Sequence, residues 1–306
     1  MYDVNKQYRC DIIRGKAQAQ RESFIAAYVK IITSICPAPK KEFDAYFNEK
    51  IIHYLPASSQ DKKTIDNHRS EISGKLLGLY VRSDDGNVYC SERTKKFLAD
   101  GDVPALFKDV CYKFQFPNAM QKSNTITTRV LDNMNFRPFC YLVKLLEEAE
   151  KEGMFLTKRE LGVYVLNALD VLQGNATPKE VIDCIKKERA SKICRTIDTK
   201  NGSWDWQHIT EQLNLMQFAN LVIFDSHGSS RDISIHLNHK EQVCLDLFAK
   251  EWNTPLPFTI TKEDVSDARH LHDLDFRWSE YFGKLSPIVS QFETKIEALE
   301  IGRAHV

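Results

Sequence analysis

Residues 61–98 read DKKTIDNHRSEISGKLLGLYVRSDDGNVYCSERTKKFL, and the pattern of this stretch decides the fold that we predict. Ile65, Ile72 and Leu76 fall on one face of a helix, and polar residues occupy the opposite face. Gly78 suits the left-handed residue that ends a helix. Residues 79–81 and 87–90 then form two strands around an Asp-Gly turn, because this pair tolerates the positive φ of a tight hairpin. The stretch therefore predicts a helix, a β-hairpin wing and a short basic helix from 92 to 98.

Two more helical patterns precede this stretch. Residues 16–35 place apolar side chains at helical spacing, and Pro37 and Pro39 stop the pattern. Residues 41–55 repeat the pattern with apolar residues every four positions. Three helices followed by a hairpin are typical of a winged helix-turn-helix unit.

The free face of the third helix is the candidate binding surface. Its Arg, Asn, Ser and Lys side chains carry donors that can contact base edges in a major groove and phosphates beside it. We expect Asn67 and Arg69 to contact bases. The full set of candidate DNA-binding residues is Lys16, Lys62, Lys63, Asn67, Arg69, Ser70, Ser73, Lys75 and Arg82. The alternative interpretation is a solvated face on a small domain that binds protein.

Charge is distributed unevenly along the chain, although the formal net charge of the 306 residues is zero. Residues 1–98 contain 17 Lys and Arg against 12 Asp and Glu, whereas residues 240–300 contain 7 against 12. The amino-terminal part is therefore the better candidate for contact with nucleic acid.

The eight cysteines include no C-x-x-C pair, and no secretory signal precedes them. No apolar run approaches the roughly 20 residues that span a bilayer. These features predict reduced thiols and a cytoplasmic protein without a membrane segment.

The pattern of helix, strand, turn, strand and helix occurs a second time, in residues 203–252. A wholly helical segment separates the two copies, with a capping-box pattern at Thr157 and Glu160. Lys and Arg are absent from the predicted free face of the second copy, where we expect weaker DNA contact or a spacer role. This face comprises Gln207, His208, Glu211, Gln212 and Asn214. The predicted fold class is mainly α with small β-hairpin wings, arranged as tandem winged helix-turn-helix subdomains joined by a helical segment.

Catalytic and metal-binding patterns are weak. Asp198-Thr199-Lys200 and Glu293-Thr294-Lys295 match the last three letters of the PD-(D/E)XK nuclease motif, but neither lies in a core-strand pattern. The His236 and His239 pair and the His270 and His272 pair lack a third ligand at a known spacing, so surface histidines are expected. We therefore predict no catalytic residues, no metal site and no cofactor in this chain.

Several stretches taken together resemble the amino-terminal recognition region of type IIS restriction endonucleases of the AlwI kind and their relatives, the nicking endonucleases. The resemblance covers about residues 14–265 and lies in the order and spacing of six stretches: 15–18, the Arg69 helix with its wing, 107–118, 137–139, 156–161 and 255–258. It implies a monomer that binds a short asymmetric site in double-stranded DNA. It also implies a separate carboxy-terminal nuclease domain that uses Mg²⁺, and a cognate DNA methyltransferase in the same system.

The expected domain organisation follows from these patterns. It comprises a winged-helix recognition subdomain (1–120), a helical subdomain (121–200), a second winged-helix-like subdomain (201–254) and a linker (255–300) toward a nuclease domain missing from this chain. The last six residues, IGRAHV, can be encoded by ATC GGA AGA GCA CAC GTC, the start of a common sequencing adapter. We therefore expect 301–306 to be an artefact and the natural protein to continue. The alternative function is a non-enzymatic transcription regulator or an interaction module, and a regulator would dimerise on a palindromic site.

Overall fold

The computed structural model describes residues 2–13, 21–197, 202–225 and 232–286. These ranges form a mainly helical structure with two small antiparallel sheets, as predicted. The helices are α1 (Arg21–Ile35), α2 (Lys40–Ile51), α3 (Lys62–Asp66), α4 (Glu92–Asp100), α5 (Val103–Lys113), α6 (Ser123–Leu131), α7 (Pro138–Lys151), α8 (Lys158–Glu160), α9 (Leu169–Leu172), α10 (Pro178–Ala190), α11 (Gly202–Phe218), α12 (Gln242–Lys250) and α13 (Ala268–Gly283). The strands are β1 (Ala38–Pro39), β2 (Tyr80–Arg82), β3 (Asn87–Cys90), β4 (Leu156–Thr157), β5 (Val222–Phe224) and β6 (Ser234–Leu237).

The first unit runs from α1 to β3 and has the element order helix, strand, helix, helix, strand, strand. Its sheet has the strand order β1-β3-β2, with Ala38 opposite Val88 and Tyr80 opposite Cys90. The apolar stripe of α2 is fully buried at Phe43 and Phe47, as the spacing of four predicts. Helix α2 therefore packs between this sheet and α1.

Helix α3 begins at an N-cap formed by Asp61, whose carboxylate accepts a hydrogen bond from the Thr64 amide at 3.0 Å. It continues as a π-helix, Asn67–Leu76. Gly78 follows with φ of +58°, so its predicted left-handed conformation is confirmed. A Cβ at this position would lie 2.5 Å from Nη1 of Arg93, so the glycine also permits close packing.

The second unit has the same order of helix, strand, helix, helix and hairpin, with α9 and α10 inserted between its helices. Its sheet has the order β4-β6-β5, with Leu156 opposite Ile235 and Val222 opposite Leu237. The predicted hairpin strands are confirmed, and the predicted turn at 227–230 lies outside the described residues. The second unit begins at α7, whereas the sequence predicted its start at residue 201. Its first strand, β4, lies in the segment that we expected to be wholly helical. The predicted capping box of Thr157 and Glu160 starts α8, which continues as the π-helix Leu161–Leu166.

The segment from 255 onward was expected to be a linker, but its described part belongs to the folded core. Helix α13 packs along β2 and buries Leu274, Trp278 and Phe282. Gly283 closely approaches the wing, since a Cβ there would lie 2.5 Å from Val81. The buried side of α13 therefore docks onto the first unit. The predicted helix at 288–299 and residues 301–306 lie outside the described ranges.

Residues 2–13 were assigned by sequence to the first subdomain, but they pack against the second unit. The amide of Tyr8 donates to the carbonyl of Asn167 at 2.7 Å, and the amide of Cys10 donates to that of Leu166 at 3.1 Å. No helix within the described ranges has the length and apolar character needed to cross a membrane.

Candidate nucleic-acid interface

The amino-terminal part of α3 presents two lysines to solvent. Lys62 and Lys63 are exposed, and within the described residues neither forms an ion pair. Asn67 is exposed on the same helix, one turn further along. These three side chains lie where the sequence predicted them, and they can contact an anionic partner without first breaking an ion pair.

Arg69 lies in a network of acceptors instead of extending freely into solvent. Its Nε is 3.2 Å from Asp44 Oδ1, and its Nη2 is 2.8 Å from Asp66 Oδ1. Its Nη1 donates a short hydrogen bond to the side-chain oxygen of Asn48. Only 14% of the side chain is exposed. The guanidinium is therefore held between α2 and the π-helical part of α3.

A cavity of about 130 Å³ lies between α2, the π-helix, β2 and α13, and we call it the Arg69 cavity. Its charged lining consists of four cations and two carboxylates: Lys40, Arg69, Lys75, Arg82, Asp44 and Asp275. Each of these cations contacts a carboxylate, since Asp66 pairs with Arg69 and Glu71 pairs with Lys75. The fold thus brings Arg69, Lys75 and Arg82 together, although they come from the helix and the wing.

The two candidate serines differ in exposure. Ser70 is half-buried and donates to the Asp66 carbonyl at 2.7 Å. Ser73 is fully buried, and its hydroxyl donates to the Arg69 carbonyl at 2.7 Å. The prediction that Ser73 lies on the free face is wrong, because the π-helical turns rotate this position toward the core. Lys16 lies outside the described residues.

Lys75 and Arg82 both have intramolecular partners. Lys75 forms an ion pair with Glu71 at 3.0 Å. Arg82 forms a short ion pair with Asp275 on α13, and its guanidinium carbon lies 5.9 Å from the Phe276 ring centroid. Contact with phosphate would therefore require Arg82 to exchange one anionic partner for another.

The tip of the wing is acidic. Asp85 accepts hydrogen bonds from the Tyr89 hydroxyl at 2.7 Å and from the Asn87 amide at 2.8 Å. The hydrogen bond from Tyr89 is the main cause that lowers the pKa of Asp85. Asp84 beside it is also exposed. The tip thus carries negative charge at neutral pH, which disfavours its approach to phosphates.

Helix α11 occupies in the second unit the place that α3 occupies in the first, but most of its surface is buried. His208, Glu211 and Gln212 were expected on a free face and are instead buried, the first and the last of them against residues 10–12. The His208 ring accepts from the Ile12 amide at 3.1 Å, and Gln212 donates to the Cys10 carbonyl at 3.0 Å. The described surface of α11 therefore offers little room for a groove contact.

No group of three or more His, Cys, Asp or Glu that could hold a metal ion occurs among the described residues. His239 contacts Glu150 at 2.8 Å, and His236 packs against Phe155 with ring centroids 4.6 Å apart. The two three-letter nuclease matches lie outside the described residues. The Mg²⁺ that the resemblance implies for a full-length enzyme therefore has no candidate ligand set among the residues that the structure describes.

The chain matches the family model described as "Restriction endonuclease BpuJI - N terminal" over residues 2–279. It belongs to this family. A solved structure, described as "Crystal structure of pyrene- and phenanthrene-modified DNA in complex with the BpuJ1 endonuclease binding domain", is similar to it at 37% identity and a TM-score of 0.86. The alignment covers 92% of this chain and 100% of that chain. No curated protein matches.

The BpuJI amino-terminal family supports the expected restriction-endonuclease region, whereas the finer likeness to the AlwI kind stays a prediction. The partners of Arg69 on α2 were not among the residues predicted from the sequence. A signal was available, because Lys40, Asp44 and Asn48 are spaced four apart and form a polar stripe beside the buried Phe43 and Phe47. Such a stripe indicates that a second helix contributes to the polar surface.

Proposed function

We propose that this chain is the DNA-recognition part of a type IIS restriction endonuclease and binds a short asymmetric site in double-stranded DNA as a monomer. The observation that carries the proposal is the similar endonuclease binding domain in complex with DNA, which aligns over 92% of the chain. Each unit has the element order of a winged helix, and each sheet places its first strand beside the last. This topology supports the interpretation as tandem winged-helix subdomains.

In this proposal the first unit makes the main contacts. Lys62 and Lys63 approach phosphates, while Asn67 and Arg69 face base edges. The acidic wing tip stays away from the phosphate backbone of the DNA. The buried helix α11 contributes less to DNA contact than α3. A nuclease domain that uses Mg²⁺ acts in the full-length enzyme, which works in the cytoplasm beside a cognate DNA methyltransferase.

Selection of bound duplexes from a random pool tests this function. The purified protein is used at moderate salt, so that phosphate attraction does not mask specificity. Enrichment of one short asymmetric sequence, bound by a monomer in light scattering, is the expected result. A palindrome bound by a dimer would instead support a transcription regulator, and failure to enrich any sequence would leave an interaction module.

A further inference from the structure

Arg69 is the most highly connected of the candidate DNA-binding side chains. Two of its acceptors, Asp44 and Asn48, come from α2, and the third, Asp66, precedes it by one turn on its own helix. A guanidinium has five N–H donors, and one of them, on Nη1, is used by Asn48, whereas Asp44 and Asp66 hold the group as ion pairs. N–H groups on both terminal nitrogens therefore remain for a further acceptor. The side chain lines the Arg69 cavity, which is the space where such an acceptor would bind.

We propose that Asp44, Asn48 and Asp66 are positioning residues that fix the Arg69 guanidinium for a two-bond contact with guanine. This inference rests on the proposed function. Guanine presents two acceptors, O6 and N7, at the major-groove edge, and Arg contacts both with two terminal donors. A flexible arginine would lose side-chain conformational entropy on binding. An arginine already held on three sides has lost most of this entropy in the free protein. The network therefore favours specificity for one base pair over general attraction to phosphate.

The charge of the network supports a role in specificity. Asp44 and Asp66 place two negative charges beside a surface that would bind a polyanion, which costs affinity for every duplex. Asp44 also forms a short ion pair with Lys40, so the carboxylate restrains two cations at once. Arg69 surrounded by carboxylates attracts phosphates weakly, whereas a hydrogen-bond fork to guanine retains its geometry. The two carboxylates thus favour specific binding through Arg69 and disfavour non-specific binding.

The test compares Asp44→Asn and Asp66→Asn with a matched control, Glu71→Gln. Glu71 lies on the same π-helix and pairs with Lys75 at 3.0 Å, whereas the ion pairs of Arg69 are with Asp44 and Asp66. All three substitutions remove one negative charge from the same surface. Affinity is measured for the duplex that the wild-type protein enriches, for its single-base-pair variants and for an unrelated duplex. Thermal unfolding of each variant shows that only folded protein is compared.

The expected result separates charge from geometry. Glu71→Gln should tighten binding to all duplexes by a similar factor and keep the ratio of specific to non-specific affinity. Asp44→Asn and Asp66→Asn should lower this ratio by about tenfold, the size of one lost two-bond base contact. The loss should fall on one G·C pair, the same pair at which Arg69→Ala loses discrimination. The double variant of Asp44→Asn with Arg69→Ala should lose no further discrimination there.

Other outcomes overturn the inference in distinguishable ways. If both Asp variants behave like Glu71→Gln on folded protein, the network only joins α2 to α3 and does not position Arg69. The proposed function would survive this result, because the wild-type protein would still discriminate between duplexes. If the wild-type protein itself enriches no sequence, the proposed function fails and the positioning role fails with it.

Discussion

The guanidinium of Arg93 and the carboxylate of Asp109 form a buried ion pair that joins α4 to α5, with Nη2 to Oδ2 at 2.6 Å and only 1% of each side chain exposed. Nη1 of Arg93 also donates to the Leu77 carbonyl at 2.6 Å, at the end of the π-helix. Asp109 in turn accepts the Ser286 amide at 2.7 Å, beyond α13. One ion pair thus connects the candidate binding helix with the last described residues.

Arg93→Met should lower the free energy of unfolding by about 3–5 kcal/mol, because Asp109 would remain buried without its cation. The control is Lys96→Met on the same helix, which breaks a half-exposed pair with Asp100 and should cost about 1 kcal/mol or less. Denaturant unfolding measures both. Equal losses of unfolding free energy in the two variants would show that the Asp109 carboxylate binds another protein group or water in place of Arg93.

Lys113 should make stability depend on pH. Burial lowers the pKa of its ammonium group to about 7, and the group donates short hydrogen bonds to the carbonyls of Tyr281 and Lys284. Between this value and the usual pKa of 10.5, the unfolded chain holds a proton that the folded chain has lost, so stability rises with pH. The difference in unfolding free energy between wild type and Lys113→Met should grow by about 1.4 kcal/mol per pH unit above pH 7. A difference that stays constant with pH would contradict this.

Asp275→Asn should tighten binding to all DNA duplexes, because it releases Arg82 from its carboxylate partner. The matched control is Asp273→Asn, which removes a charge from the same helix but affects Arg277, 3.0 Å away. Arg82→Ala should weaken binding and reduce the salt slope by about 0.9 if Arg82 contacts one phosphate. If Asp275→Asn and Asp273→Asn changed DNA affinity equally, the release of Arg82 from Asp275 would not explain the change.

Lys62→Ala and Lys63→Ala should each weaken binding to specific and unrelated duplexes by a similar factor. Each lysine that contacts a phosphate contributes about 0.9 to the dependence of log affinity on log salt concentration. Lys179→Ala is the control, because Lys179 is exposed on α10, outside the first unit. Titrations at several salt concentrations measure the slope. An unchanged slope in the Lys62 and Lys63 variants would remove these residues from the interface.

Cys90 should react with iodoacetamide near neutral pH. The neighbouring Cys36 thiol is the main cause that lowers the pKa of Cys90 to about 7. The sheet brings the two residues together, since β1 pairs antiparallel with β3. The alkylation rate of Cys90, followed by mass spectrometry, should rise through pH 7, and Cys36→Ala should shift this rise to higher pH. Identical profiles with and without Cys36 would contradict the assigned cause.

Local chemistry explains why the sequence predicts most elements of this fold. The capping box of Thr157 and Glu160 acts within four residues, and the positive φ of Gly78 and of Gly86 in the wing turn are properties of single positions. The apolar stripe of α2 needs only helical periodicity. These features depend on neighbours in the chain, so they are visible before the chain is folded.

The candidate site shows the limit of that prediction. The sequence by itself determined the existence of the Arg69 helix, the hairpin after it and the cations that they carry. Only the tertiary structure decided that Asp44 and Asn48 hold Arg69, that Ser73 is buried, that α13 docks beside Arg82 and that residues 10–12 contact α11. The physical reason is that these contacts join segments distant in sequence. Their geometry depends on how the helices pack and on the π-helical turns of Asn67–Leu76, neither of which the periodicity of one segment encodes.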